Sequence, residues 1–86
     1  MDASQANALI GANLRALRAK KDYSRAKLSE LSGVPVITIR RIEDGERAVL
    51  TTTLIVLCRV LDADASEFLD VVQRELKEIG GAAASE

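Results

Sequence analysis

Two arginines stand side by side at Arg40-Arg41 and a third at Arg25, and between them an aliphatic pair, Val36-Ile37, is followed by Thr38. A guanidinium is a rigid fork of N–H donors that suits a bidentate acceptor such as a phosphate or the O6/N7 edge of guanine. Bond-making chemistry is harder to find. The chain has no His and a single cysteine, Cys58, so it offers no His base, no His metal ligand, no internal disulfide and no Cys-rich zinc site. It lacks a glycine-rich phosphate loop and any nucleophile–base pairing, which makes an enzyme the least favoured class. Asp62, Asp64, Glu67 and Asp70 crowd together, but their spacing is not that of a calcium loop. No metal and no cofactor is expected.

Charge is distributed unevenly. Residues 1–50 hold nine Lys/Arg and six Asp/Glu, a balance of +3, and residues 51–86 hold three and seven, a balance of −4, within a net charge of −1. A basic face for an anionic polymer and a chance split both fit these numbers. The 86 residues make one domain, and 48% of them are apolar, enough for a packed core. Tyr23 and Phe68 are the only aromatics, so that core is built from Leu, Ile, Val and Ala. No apolar run reaches the ~20 residues that cross a bilayer. Met1-Asp2-Ala3-Ser4-Gln5 has neither the basic start nor the apolar stretch of a secretion signal. A soluble cytoplasmic protein with no membrane partner is expected.

Five helical segments must position the arginines. Ile10, Leu14 and Leu17 share one face of a helix from Ser4, its N-cap, to Lys20. Ser24 caps a second helix that carries Leu28 and Leu31 inward and stops at Gly33. The third runs from Pro35, in its first turn, to Asp44, with Gly45 just past its end. Val36, Ile37 and Ile39 have strand propensity, but a lone strand has no partner here, and Ile39 and Ile42 keep helical spacing. A Thr cap opens the fourth at Thr51, which runs to Leu61 with Leu54, Leu57, Cys58 and Leu61 facing in. Asp64-Ala65-Ser66-Glu67 begins the fifth like a capping box, and Gly80-Gly81 ends it near Ile79. The domain spans residues 4–79, with helix 5 at 64–79 and a flexible tail at 80–86.

Ser24 to Gly45 reads as a helix-turn-helix unit. Leu28, Gly33, Val34, Ile39 and Ile42 must be small or apolar where its helices cross, which leaves Arg25, Val36, Ile37, Thr38, Arg40 and Arg41 outward. The segments Leu14-Arg15-Ala16-Leu17-Arg18, Leu28-Ser29-Glu30-Leu31-Ser32-Gly33-Val34 and Ile39-Arg40-Arg41-Ile42-Glu43-Asp44-Gly45 resemble the phage-repressor/Cro-type helix-turn-helix family. Leu54–Leu61 and Phe68-Leu69 resemble its fourth and fifth helices, so the likeness runs from Ile10 to Leu69. It implies an all-α, compact five-helix, lambda-repressor-like DNA-binding domain with helix 3 in the major groove of double-stranded DNA. It implies that Arg25 touches a phosphate or guanine, that Val36 and Ile37 meet thymine methyls, and that Arg41 reads guanine. By the same likeness Arg40, Thr38 and Arg47 reach the backbone, as do the N–H groups opening helices 2 and 4, and Arg18 and Glu43 form an internal salt bridge. The function implied is a bacterial or phage repressor of transcription.

Leu69, Val72, Leu76 and Ile79 repeat at heptad spacing along helix 5. A compact core covers the first two and leaves Leu76 and Ile79 projecting, an expected interface for a homodimer or a partner protein. Packing back onto helix 1 is the competing reading. An antitoxin or antirepressor-like module that binds protein through helix 5, with DNA binding secondary, therefore stays open beside the repressor.

Overall fold

Two of the joints between helices use one device. The computed structural model describes residues 3–84, with side chains through residue 80. Helix α1 spans Ala3–Lys20, α2 Arg25–Ser32, α3 Val36–Glu43, α4 Thr51–Val60 and α5 Ala65–Ala84, and no strand occurs among the described residues. After α1 the Tyr23 N–H reaches back to the Arg18 carbonyl at 3.1 Å, and after α4 the Ala63 N–H reaches the Cys58 carbonyl at 2.8 Å. Asp22 (φ 59°) and Asp62 (φ 54°) take the left-handed conformation that this stop requires. Lys21 pairs with Asp62, tying the two turns together.

Polar caps follow both turns. The Ser24 hydroxyl accepts from the Lys27 N–H at 3.0 Å and opens α2 as expected. Asp64 Oδ1 accepts from the Ser66 and Glu67 N–H groups at 2.8 and 3.2 Å. The Ser66 hydroxyl and these two amides hold the Asp64 carboxyl below its ordinary pKa. Gly33 ends α2 with φ 78°, its N–H on the Ser29 carbonyl at 2.8 Å. A Cβ there would meet nothing within 4 Å, so the demand for glycine is purely conformational.

Four expected boundaries move. Ser4 lies inside α1, which already includes Ala3, so it is not the cap. Pro35 is the N-cap of α3 rather than its first helical residue, and its carbonyl accepts from Thr38 and Ile39. Leu50, not a threonine, precedes α4, and Thr51 is that helix's first residue with no side-chain cap. Gly80-Gly81 do not end α5, which continues to Ala84. A glycine stops a helix only in the left-handed conformation, which Gly80 does not adopt, and the alanines beyond favour the helix. The tail expected at 80–86 thus loses its first residues to α5, and residues 85–86 lie outside the described part.

The core comprises Leu14, Leu28, Ile39, Ile42, Leu54, Leu57, Cys58, Leu61, Phe68 and Val72. Burial pushes the Cys58 thiol up, and the nearby Asp64 charge adds to that, so it stays protonated as a small packing residue. Leu31 is the exception to the inward assignments, at 45% exposed. Helices α3 and α4 pack on the Leu28 side of α2, and its last turn lies open. α1 packs on α3 and α5, and α4 on α2 and α5. α1 and α3 meet backbone to backbone at Gly11. A Cβ there would lie 2.5 Å from the Glu43 carbonyl oxygen and would collide with that of Ile42.

Candidate nucleic-acid interface

Helix α3 has two opposed faces. At roughly 100° per residue, Val36, Ile37, Arg40 and Arg41 fall within an arc of about 140°, Ile39 and Ile42 lie on the far side, and Glu43 sits on the flank between Ile39 and Val36. The burial follows: Ile39, Ile42 and Glu43 are 1%, 2% and 4% exposed, against 44% and 46% for Val36 and Ile37. Arg41 is exposed, Arg40 half-buried, and Thr38 half-buried at the edge of the arc. The inward stripe fixes the rotation of the helix, and so decides which four side chains it shows.

Glu43 anchors that rotation. The Arg18 guanidinium clasps it through two bonds, Nε to Oε2 at 2.7 Å and Nη2 to Oε1 at 2.9 Å, while Arg18 Nη1 donates to the Tyr23 carbonyl at 2.9 Å. The pair expected from family likeness is therefore present, joining α1 to the end of α3. Burial alone would push the Glu43 carboxyl up. Hydrogen bonds from Arg18 and Arg25, with their charge, outweigh it and hold the group below its ordinary pKa. The same bond holds the Arg18 guanidinium above its ordinary value. No buried side-chain polar atom among the described residues lacks a partner.

Arg25 is placed otherwise than an outward side chain. Its Nε donates to Glu43 Oε1 at 2.9 Å, and its Nη2 lies 3.5 Å from Asp44 Oδ1. Part of its fork is thereby committed within the fold, and 31% of the side chain remains exposed. Asp44 collects two more guanidinium groups, Arg15 Nη2 at 2.8 Å and Arg40 Nη1 at 3.5 Å, and Arg40 also lies 3.6 Å from Glu46. Arg41 and Arg47 are exposed and have no ion pair among the described residues.

Arg15, Asp44 and Glu46 were not singled out by sequence. The available signal is that Arg15 and Arg18 stand three apart on one face of α1, opposite an acidic pair closing α3. The Ser24 hydroxyl occupies the Lys27 amide of α2, whereas α3 and α4 have no side-chain cap.

Of the four α5 residues expected at an interface, Val72 is 3% exposed and Leu69 and Leu76 pack against the core. The expected projection past the core holds for Ile79 alone, at 41% exposed. α5 lies along α1, where Asn13 Nδ2 donates to Glu75 Oε1 at 2.7 Å, and Leu76, next to Glu75, packs against the core. No helix among the described residues is long and apolar enough to cross a membrane.

The model of the helix-turn-helix domain family matches residues 9–70. Among solved structures, the restriction-modification controller protein C.AhdI from Aeromonas hydrophila is 31% identical, covering 72% of this chain and 94% of its own, with a TM-score of 0.69. The clp gene regulator ClgR from C. glutamicum is 27% identical over 81% of this chain and 91% of its own, with a TM-score of 0.74. An HTH_3 family transcriptional regulator from Vibrio cholerae is 26% identical over 80% of this chain and 39% of its own, with a TM-score of 0.75. Among curated proteins none matches the sequence.

Proposed function

The chain belongs to the helix-turn-helix domain family, and from that membership we propose that it is a transcriptional regulator that reads duplex DNA by sequence through α3, as a repressor of bacterial or phage type. The observation that carries this reading is the exposed arc of Val36, Ile37, Arg40 and Arg41 on a helix whose opposite face is locked into the core. An α-helix fits the major groove, and this one meets it with two aliphatic and two cationic side chains.

Each side chain has a distinct task. Val36 and Ile37 have no donor or acceptor, so they register thymine methyls and groove shape. Arg41, unencumbered by a carboxylate, supplies the bidentate contact to guanine. Arg40, Arg47, Thr38 and the free part of Arg25 hold phosphates and fix the register. Repression follows from occupancy: a protein seated in the groove over a promoter excludes polymerase. Such a regulator works in the cytoplasm. That the three similar structures are named as bacterial regulators or controller proteins supports the reading.

Self-association through α5, which would set two recognition helices about 34 Å apart on a palindrome, has Val71 and Ile79 as its exposed apolar side chains. The deciding experiment is selection of bound duplexes from a random pool, followed by affinity for the selected and scrambled sequences. A strong preference for the selected duplex is expected. Equal affinity for both overturns sequence reading.

A further inference from the structure

We propose that Asp44 is an internal counter-anion for the arginines beside α3 and holds down the affinity of the protein for duplex DNA of any sequence. This rests on the DNA-binding reading of α3. One carboxylate draws guanidinium groups from three helices: Arg15 of α1 at 2.8 Å and Arg25 of α2 at 3.5 Å on Oδ1, and Arg40 of α3 at 3.5 Å on Oδ2. Glu43, its neighbour, is sealed in and serves the fold. Asp44 is not sealed, with a third of its side chain exposed, and the exposure of Arg15 and Arg40 is 51% and 42%. Pairs this open add little to stability.

Helix energetics do not explain the residue either. Asp44 is the C-cap of α3, where the macrodipole is negative and disfavours an acid. Its charge is tolerated there because three cations surround it. Those cations are the groups a phosphate oxygen would seek on this surface. A duplex approaching α3 therefore competes with Asp44 for the same N–H donors and meets its negative charge as well. Arg18 takes no part in this competition, because both edges of its fork are occupied by Glu43 and the Tyr23 carbonyl.

The test compares the wild type with Asp44→Asn and with Asp70→Asn, binding a fluorescent duplex of random sequence. Asp70 is an exposed residue of α5, which packs on α1 and α4, so its variant removes the same charge elsewhere. One phosphate contact contributes about 0.9 to the slope of log affinity against log salt, so between about 200 and 50 mM salt Asp44→Asn should gain about 3.5-fold more affinity than the wild type. Asp70→Asn should track the wild type.

An unchanged slope for Asp44→Asn overturns the proposal, as does an equal gain from Asp70→Asn, which would mean that net charge alone acts. Circular dichroism checks the fold, and Asp44→Ser, measured alongside, must show the same gain; if it does not, the proposal fails. If the wild type and every variant ignore duplex even at low salt, the DNA-binding reading falls and this proposal with it. Wild-type binding with an unmoved Asp44→Asn slope refutes this proposal alone.

Discussion

Gly11→Ala is a substitution for which helix propensity and packing predict opposite signs. Alanine in the interior of a helix is favoured over glycine by about 0.8–1.0 kcal/mol, so propensity alone makes the variant more stable. The structure says otherwise. The new Cβ would stand 2.5 Å from the Glu43 carbonyl oxygen and collide with that of Ile42, where an ordinary C···O contact is about 3.3–3.6 Å. α1 or α3 must retreat by roughly 1 Å. Overpacking costs about 1–3 kcal/mol, and backbone in the last turn of α3 yields less easily than the end of a side chain, which puts the cost in the upper part of that range. The net loss is about 1–2 kcal/mol, a melting temperature lower by roughly 5–15 °C. Urea and thermal denaturation followed by circular dichroism measure it. Ala12→Gly, at an exposed position next door, calibrates propensity and should lose about 1 kcal/mol. A Gly11→Ala protein as stable as the wild type, with the calibrating loss intact, refutes the account of how α1 seats α3.

Glu43→Gln keeps the shape of the buried side chain but removes the anion that Arg18 and Arg25 share, leaving Arg25 with Asp44 at 3.5 Å. A loss of about 2 kcal/mol in urea denaturation is expected, below the 3–5 kcal/mol of a fully buried pair because both arginines keep some water. The Glu43 carboxyl titrates lower in the folded chain than in the unfolded one, so its contribution is complete above the unfolded value of about 4.3 and is lost as pH falls through the folded value. Denaturation midpoints measured down to strong acid should show this decline in the wild type, and Glu43→Gln should lack that component. Ser24→Ala removes the cap on the Lys27 amide and should cost about 1 kcal/mol by the same measurement. With a selected duplex in hand, Arg41→Ala should lose about 1–3 kcal/mol at one base pair and relax the preference there, read from binding to singly substituted duplexes.

The helices and their buried stripes were legible because their causes are local. Ser24, Gly33 and the Leu54, Leu57, Cys58, Leu61 repeat each act within a turn or two of the chain. The Arg18–Glu43 pair was legible through likeness alone, since no short-range rule connects residues 25 positions apart. What escaped has its cause in another helix. Gly11 looks like a flaw in α1 until the carbonyls of α3 are brought against it. Arg25 looks outward until Glu43 is found beneath it. Leu76 fits a free heptad seam until α5 is laid against the core. Gly80-Gly81 misled for a different reason: a glycine permits a stop without compelling one.

α3 is only eight residues long and opens on a proline with no side-chain cap. Helices shorter than about 12–15 residues barely persist alone in water, so this one exists because Ile39, Ile42 and Glu43 are gripped from beneath. Beyond its first turn, its amide protons are protected only while that grip holds. They should exchange when the grip opens, together with the amides of the core beneath it. The exposed arc is therefore only as durable as the contacts beneath it.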